Sequence, residues 1–102
     1  MAITAQLLYR GAAPTSNTTL YTASANTEVT NIIVANTASS AATFTIELST
    51  GGSAIAILSG VSVPANTSAF FDLKQYVANG QTVQGYASAT TVNFHISGAT
   101  GF

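Results

Sequence analysis

The side chains able to do chemistry are few: one histidine, His95, two cations, Arg10 and Lys74, and three carboxylates, Glu28, Glu47 and Asp72. Ser97 follows His95 by two residues, so an extended strand puts both on one face, as a Ser–His nucleophile would require. Side chains two apart on a strand nevertheless diverge from hydrogen-bonding geometry, and no nucleophile elbow accompanies the pair. Glu28 and Glu47 offer two carboxylates that neighbouring strands would bring together. Glycosidic chemistry also needs a sugar cleft with surrounding donors, which nothing in the sequence supplies. A metal centre needs three or four ligands, and one histidine with scattered carboxylates and no cysteine makes no recognisable set. Gly51-Gly52 and Asn79-Gly80 match neither a P-loop nor a dinucleotide fingerprint and read as turns. The sequence therefore assigns no catalytic, cofactor-binding or metal-binding residue, and an enzyme is not expected.

The scarcity of charge is itself informative. Charged residues make up 5% of the 102 residues, against about 25% in an ordinary soluble domain. A folded chain of this mass exposes roughly 5,400 Å², which leaves about one charge per 1,000 Å². Charge-free areas must then exceed the few hundred Å² of a typical monomer's largest apolar patch. That surface suits a subunit packed against other subunits. A net charge of −1 with two basic residues excludes a phosphate-binding footprint for nucleic acid and adhesion to anionic membranes. No apolar run approaches the roughly 20 residues of a membrane-spanning helix. Met1 to Leu8 has no basic segment followed by an apolar one, so no export signal is expected. The triplets Asn17-Thr18-Thr19 and Asn66-Thr67-Ser68 match a glycosylation acceptor, which has meaning only in an exported chain. With 47% hydrophobic residues, the chain is too apolar to be disordered.

The elements that would carry these groups alternate with period two. Ala42, Phe44, Ile46 and Leu48 form one face of a strand, with Thr43, Thr45 and Glu47 on the other. Thr91 to Ser97 repeats the pattern, turning Val92, Phe94 and Ile96 inward. Thr67 to Lys74 turns Ala69, Phe71 and Leu73 inward and Phe70, Asp72 and Lys74 outward. Val83, Gly85 and Ala87 oppose Thr82, Gln84, Tyr86 and Ser88, while Asn31 to Asn36 is a more continuous run, as in a central strand. Ile3–Tyr9, Thr18–Tyr21 and Ala54–Leu58 are weaker strands. Pro14, Gly51-Gly52, Pro64-Ala65-Asn66 and Asn79-Gly80 punctuate the runs with turn chemistry, and Ser88-Ala89-Thr90 closes a hairpin. One helical turn at Leu73–Ala78 is the only competing element. The expected fold is all-β, an antiparallel β-sandwich of jelly-roll or Ig-like type with about seven or eight strands. Residues 1–102 form one domain, and residues 1–13 are either an edge strand or an arm outside the sandwich.

Aromatic residues are the candidate contact groups. Phe70 and Tyr86 fall on strand faces assigned to solvent, and Tyr9, Tyr21, Tyr76 and the terminal Phe102 extend the set. Interfaces are enriched in aromatics and depleted of charge, so Tyr9, Tyr21, Phe70, Tyr86 and Phe102 are the expected interface residues. Stacking on sugars is the alternative use of the same rings.

The order Thr19-Leu20-Tyr21-Thr22, Asn31-Ile32-Ile33-Val34-Ala35-Asn36-Thr37, Val63-Pro64-Ala65-Asn66-Thr67, Asn79-Gly80-Gln81-Thr82-Val83 and Val92-Asn93-Phe94-His95-Ile96-Ser97-Gly98 resembles small virion structural proteins of tailed bacteriophages. It covers roughly residues 18 to 98 and departs at Gln81, where an acidic residue is common. The resemblance implies a non-enzymatic β-sandwich of the virion with no cofactor. Its leading form is a decoration (cement) protein on the head surface, made in the host cytoplasm and binding the major capsid protein as a homo-oligomer, a trimer favoured. The alternatives are a tail, collar or baseplate subunit, or a carbohydrate-binding module for host attachment. If residues 1–13 are the arm that docks on the shell, deleting residues 2–13 leaves the sandwich folded and abolishes binding.

Overall fold

A computed structural model describes residues 3–49 and 52–101. Eight strands follow one another: β1 (Thr4–Ala12), β2 (Thr18–Thr22), β3 (Thr27–Asn36), β4 (Ala42–Ser49), β5 (Ala54–Val63), β6 (Thr67–Val77), β7 (Thr82–Ala87) and β8 (Val92–Thr100). No helix occurs among the described residues, and Leu73–Val77 continues β6 instead of turning into one. The strands form two four-stranded sheets, β1-β8-β3-β6 and β2-β7-β4-β5, in which every neighbouring pair is antiparallel. The sequence neighbours and the sheet neighbours obey one rule: β1 lies beside β8, β2 beside β7, β3 beside β6 and β4 beside β5. A long hairpin with β4–β5 at its tip, rolled up on itself, gives this nesting. It is the jelly roll, which selects between the two sandwich types that alternation alone leaves open.

The core is the inward half of each alternation. Val29, Ile32, Val34, Phe94, Ile96 and Val77 from the first sheet meet Phe44, Ile46, Val63 and Val83 from the second, all nearly inaccessible to solvent. Phe44 stands edge-on to Phe71 and to Phe94, with ring centroids 5.9 Å apart in both cases. Edge-to-face geometry matches the positive ring rim to the negative face of its neighbour. Polar groups inside are satisfied. Asn36, 2% exposed, donates through Nδ2 to the carbonyls of Ser40 (2.9 Å) and Val63 (3.1 Å), and accepts at Oδ1 from the Ala38 N–H (3.1 Å). One amide thus ties the end of β3 to the end of β5.

Turn chemistry ends the strands as their residues dictate. Asn66 takes a left-handed conformation at φ 52° and Gly80 at φ 90°, where Asn and Gly are the least strained residues. Gly98 is needed for a different reason: a Cβ there would collide with the carbonyl oxygen of Glu28 on β3.

At the amino terminus the structure takes one of the two expected alternatives. Thr4–Ala12 is not an arm outside the sandwich but its edge strand, paired with β8 along its length. Leu8 is buried, and Tyr9 packs on Phe94 at a centroid distance of 6.5 Å. Removing this segment would remove part of the core.

Candidate interaction surface

Register across the first sheet arranges its outward side chains in rows. Arg10, His95, Ile33 and Phe70 make one row, and Leu7, Ser97, Asn31 and Asp72 the next. A third runs Ala5, Ala99, Glu28, Tyr76. Directly paired residues share a face of the pleat, so this face carries three of the large exposed apolar residues: Leu7, Phe70 and Tyr76. Phe70 is 70% exposed and Tyr76 61%. His95 and Ser97 sit in adjacent rows with no hydrogen bond between them among the described residues. His95 has Arg10 and Ile33 as its cross-strand neighbours, and no carboxylate there orients the ring.

The outer face of the second sheet has a different character. Thr45 pairs with Tyr86, Glu47 with Gln84, and Gln84 with Thr19. Asn17 Nδ2 donates to Glu47 Oε1 (3.0 Å) and to Gln84 Oε1 (3.1 Å), and Gln84 Nε2 donates to Thr82 Oγ1 (3.0 Å). Asn17, Glu47, Gln84 and Thr82 thus satisfy one another on this face, while Thr45 is buried and accepts from the Gly60 N–H. Glu28 and Glu47 therefore lie in different sheets on opposite outer faces, which corrects the reading of them as cross-strand neighbours. Among the described residues no three His, Asp or Glu side chains gather into a cation site.

Between the edge strands β5 and β6 the sandwich is open. Ile57, Leu58, Phe71 and Leu73, with Asp72 and Gln75, line a solvent-open cleft of about 360 Å³. Ile55, 57% exposed, pairs with Leu48 at the end of this seam. A smaller hollow of about 270 Å³ lies at the Asn36–Thr37 and Asn66–Ser68 turns.

The structure sorts the expected contact residues. Phe70 is outward and exposed; Tyr86 is outward and half-buried. Tyr9 and Tyr21 are turned toward the core instead, with the Tyr9 hydroxyl donating to the Ala12 carbonyl (2.8 Å) and the Tyr21 hydroxyl 3.4 Å from Thr27 Oγ1. Phe102 lies outside the described residues. Both tyrosines owe their direction to register breaks, one between Leu7 and Tyr9 and one between Thr19 and Tyr21. An extra residue in a strand shifts the parity of everything beyond it, so Leu8 and Tyr9 turn inward while Leu7 is left outside. The signal was the apolar triplet Leu7-Leu8-Tyr9, which strict alternation cannot bury on one face.

No family model matches the chain, and no curated protein is similar to it in sequence. Solved structures share its fold. Two are structures of a pentameric capsid protein isolated from metagenomic phage sequences, at TM-scores of 0.51 and 0.52 and 18% identity. They cover 89% of this chain, which spans only 60% and 59% of theirs. A third, from the T13 viral particle of IBDV, reaches a TM-score of 0.62 at 9% identity, covering 96% of this chain and 30% of that one. At such identities the likeness is one of fold, and the chain is a jelly-roll β-sandwich of the kind found in these capsid proteins.

Proposed function

We propose that this chain is a non-enzymatic structural protein of a virus particle, and more specifically a decoration protein bound to the outer surface of a phage head. The observation that carries this reading is the surface. A sandwich of 5178 Å² accessible area bears five formal charges and sets Leu7, Phe70 and Tyr76 outward on one sheet. Such a surface is suited to being covered by other subunits. The capsid proteins that share the fold and the phage-like strand motifs support the same reading.

The mechanism is linkage. A subunit that binds only the assembled shell stabilises it in proportion to its occupancy, by mass action. Self-association multiplies the effect, because each further contact forms at high effective concentration. On the shell the favoured homo-oligomer is a trimer at local threefold positions, in contact with the major capsid protein.

Localisation in a reconstruction of the particle tests this. Hundreds of copies on the head are the expected result. Six to a few dozen copies on the tail would move the protein to a tail, collar or baseplate role. Absence from particles, with glycan binding lost in Tyr86→Ala, would replace the reading with a carbohydrate-binding module.

A further inference from the structure

We infer that two copies of this chain pair edge to edge through β6, antiparallel about a twofold axis at Leu73. The inference rests on the reading of the chain as a self-associating particle component and names the contact. β6 is 11 residues long and ends its sheet, so one side of its backbone has no strand beside it. Natural edges are usually guarded by shortness, bulges, proline or charge. In this molecule β2 has five residues and a register break, and β1 and β5 carry breaks of their own. β6 is the longest of the four edges and has no proline. It too carries a register break, at Leu73–Lys74, and two charges, but Thr67 to Asp72 pairs with β3 without interruption and the charges are of opposite sign.

The side chains of β6 are self-complementary. Its outward row is Phe70, Asp72, Lys74, Tyr76, all exposed. Antiparallel pairing centred on Leu73 sets each Asp72 opposite the Lys74 of the second copy and each Phe70 opposite the second copy's Tyr76. Two of the five charges in the chain and two of its most exposed large apolar side chains are thereby matched twice over. On the inner side Leu73 meets its own copy, and the two apolar clefts lined by Ile57, Leu58 and Phe71 join across the axis. Lys74 has no ion-pair partner among the described residues, and Asp72 accepts only a 3.3 Å hydrogen bond from Asn31 Nδ2. Both groups remain available. Because the ladder with β3 is irregular opposite Leu73 and Lys74, the side-chain matches flanking the axis carry this contact, with backbone bonds adding to it.

The area suffices. A strand of this length runs about 36 Å, and the molecule is 18 Å across its shortest axis. An edge of that size presents roughly 600 Å² per copy, or ~1,200 Å² in all, at the lower end of stable interfaces. On a shell the contact would join copies from neighbouring threefold positions, since local twofold axes lie between them.

Charge reversal tests the register on exposed residues that the core does not use. Light scattering over a concentration series should show wild-type self-association. Asp72→Lys and Lys74→Asp, each placing like charges face to face, should weaken it by roughly 10–50-fold. Mixing the two variants should restore it. The lysine introduced at position 72 of one then faces the aspartate introduced at position 74 of the other, and the unaltered Lys74 and Asp72 face each other on the far side of the axis. Cysteine supplies a second reading in a chain that has none: Asp72→Cys mixed with Lys74→Cys should oxidise to a disulfide-linked dimer, faster than either variant alone. Self-association that ignores both reversals, or a mixture no stronger than its parts, overturns the β6 contact while leaving the particle reading intact. A wild-type chain that stays monomeric at millimolar concentration overturns the contact too, and copies found on particles would show that the particle reading survives it.

Discussion

Single side chains carry unequal shares of this fold. Phe44 bridges the two sheets through Phe71 and Phe94, so Phe44→Ala leaves a cavity at the centre of the sandwich. Such truncations cost about 3–5 kcal/mol, a large part of the ~5–15 kcal/mol that holds a domain together. Thermal unfolding followed by circular dichroism should show a fall of about 10 °C or more, on the order expected for a domain of this size. Asn36 matters for another reason. Asn36→Ala strips partners from the Ala38 N–H and from the carbonyls of Ser40 and Val63. Leaving buried groups unpaired costs about 1–3 kcal/mol, and Asn36→Asp should be no better, because a carboxylate cannot donate to those carbonyls. Chemical denaturation of the two variants, compared with Ser39→Ala on the exposed loop, checks this. A midpoint unchanged in Asn36→Ala would remove the amide from the account. Asn36 was legible as the end of a strand, but its role as a knot between turns was not: its acceptors lie up to 28 residues away, and no local pattern announces them.

At the scale of elements, β3 and β8 are held closely by Gly98. Gly98→Ala pushes a methyl group against the Glu28 backbone, and backbone cannot rotate away as a side chain can. Overpacking of this kind costs about 1–3 kcal/mol or more; a soluble variant with wild-type stability would show that the strands separate freely. β1 supplies the second element-level prediction. Deleting residues 2–12 removes Leu8 and Tyr9 from the core and strips β8 of a partner strand, so the remaining chain should lose cooperative unfolding. A shortened chain that folds and melts normally would restore the arm interpretation. All eight strands were visible as runs, alternating in most and continuous at Asn31–Asn36, including the weak ones at the amino terminus and at Ala54–Leu58. Their lengths were less so: β5 extends to Val63 and β3 begins at Thr27. In both, a register break at small or polar residues (Ser59 and Gly60 in β5, Thr30 in β3) interrupts the alternation, and pairing resumes on the far side of it.

For the whole molecule, the scarcity of charge has a consequence in solution. Attraction between ions is screened over about 10 Å at 0.1 M salt, whereas contacts of Thr, Ser, Asn and apolar groups are affected little. Binding to the particle should therefore survive about 0.5–1 M NaCl, in a sedimentation assay of particles with bound protein. Complete release over that range would mean that the few charges dominate the docking face. The β6 contact is the place where salt should act, because it brings Asp72 and Lys74 together.

What the residues alone determine is the class of structure and the character of its surface. Period-two hydrophobicity with turn residues between the runs leaves a chain no way to bury its apolar groups except in facing sheets. The near-absence of ions is likewise a property of composition that no fold can alter. The choice between a jelly roll and an Ig-like order belongs to tertiary structure, since alternation marks which side of a strand is buried but not which strand lies beside it. So does the direction of Tyr9, Tyr21 and Leu7, which depends on single extra residues in β1 and β2 and thus on how each strand fits its neighbour. The separation of Glu28 from Glu47 and the open seam between β5 and β6 follow from the same cause: consecutive strands other than β4 and β5 cross to opposite sheets, and only packing decides which edges are left bare.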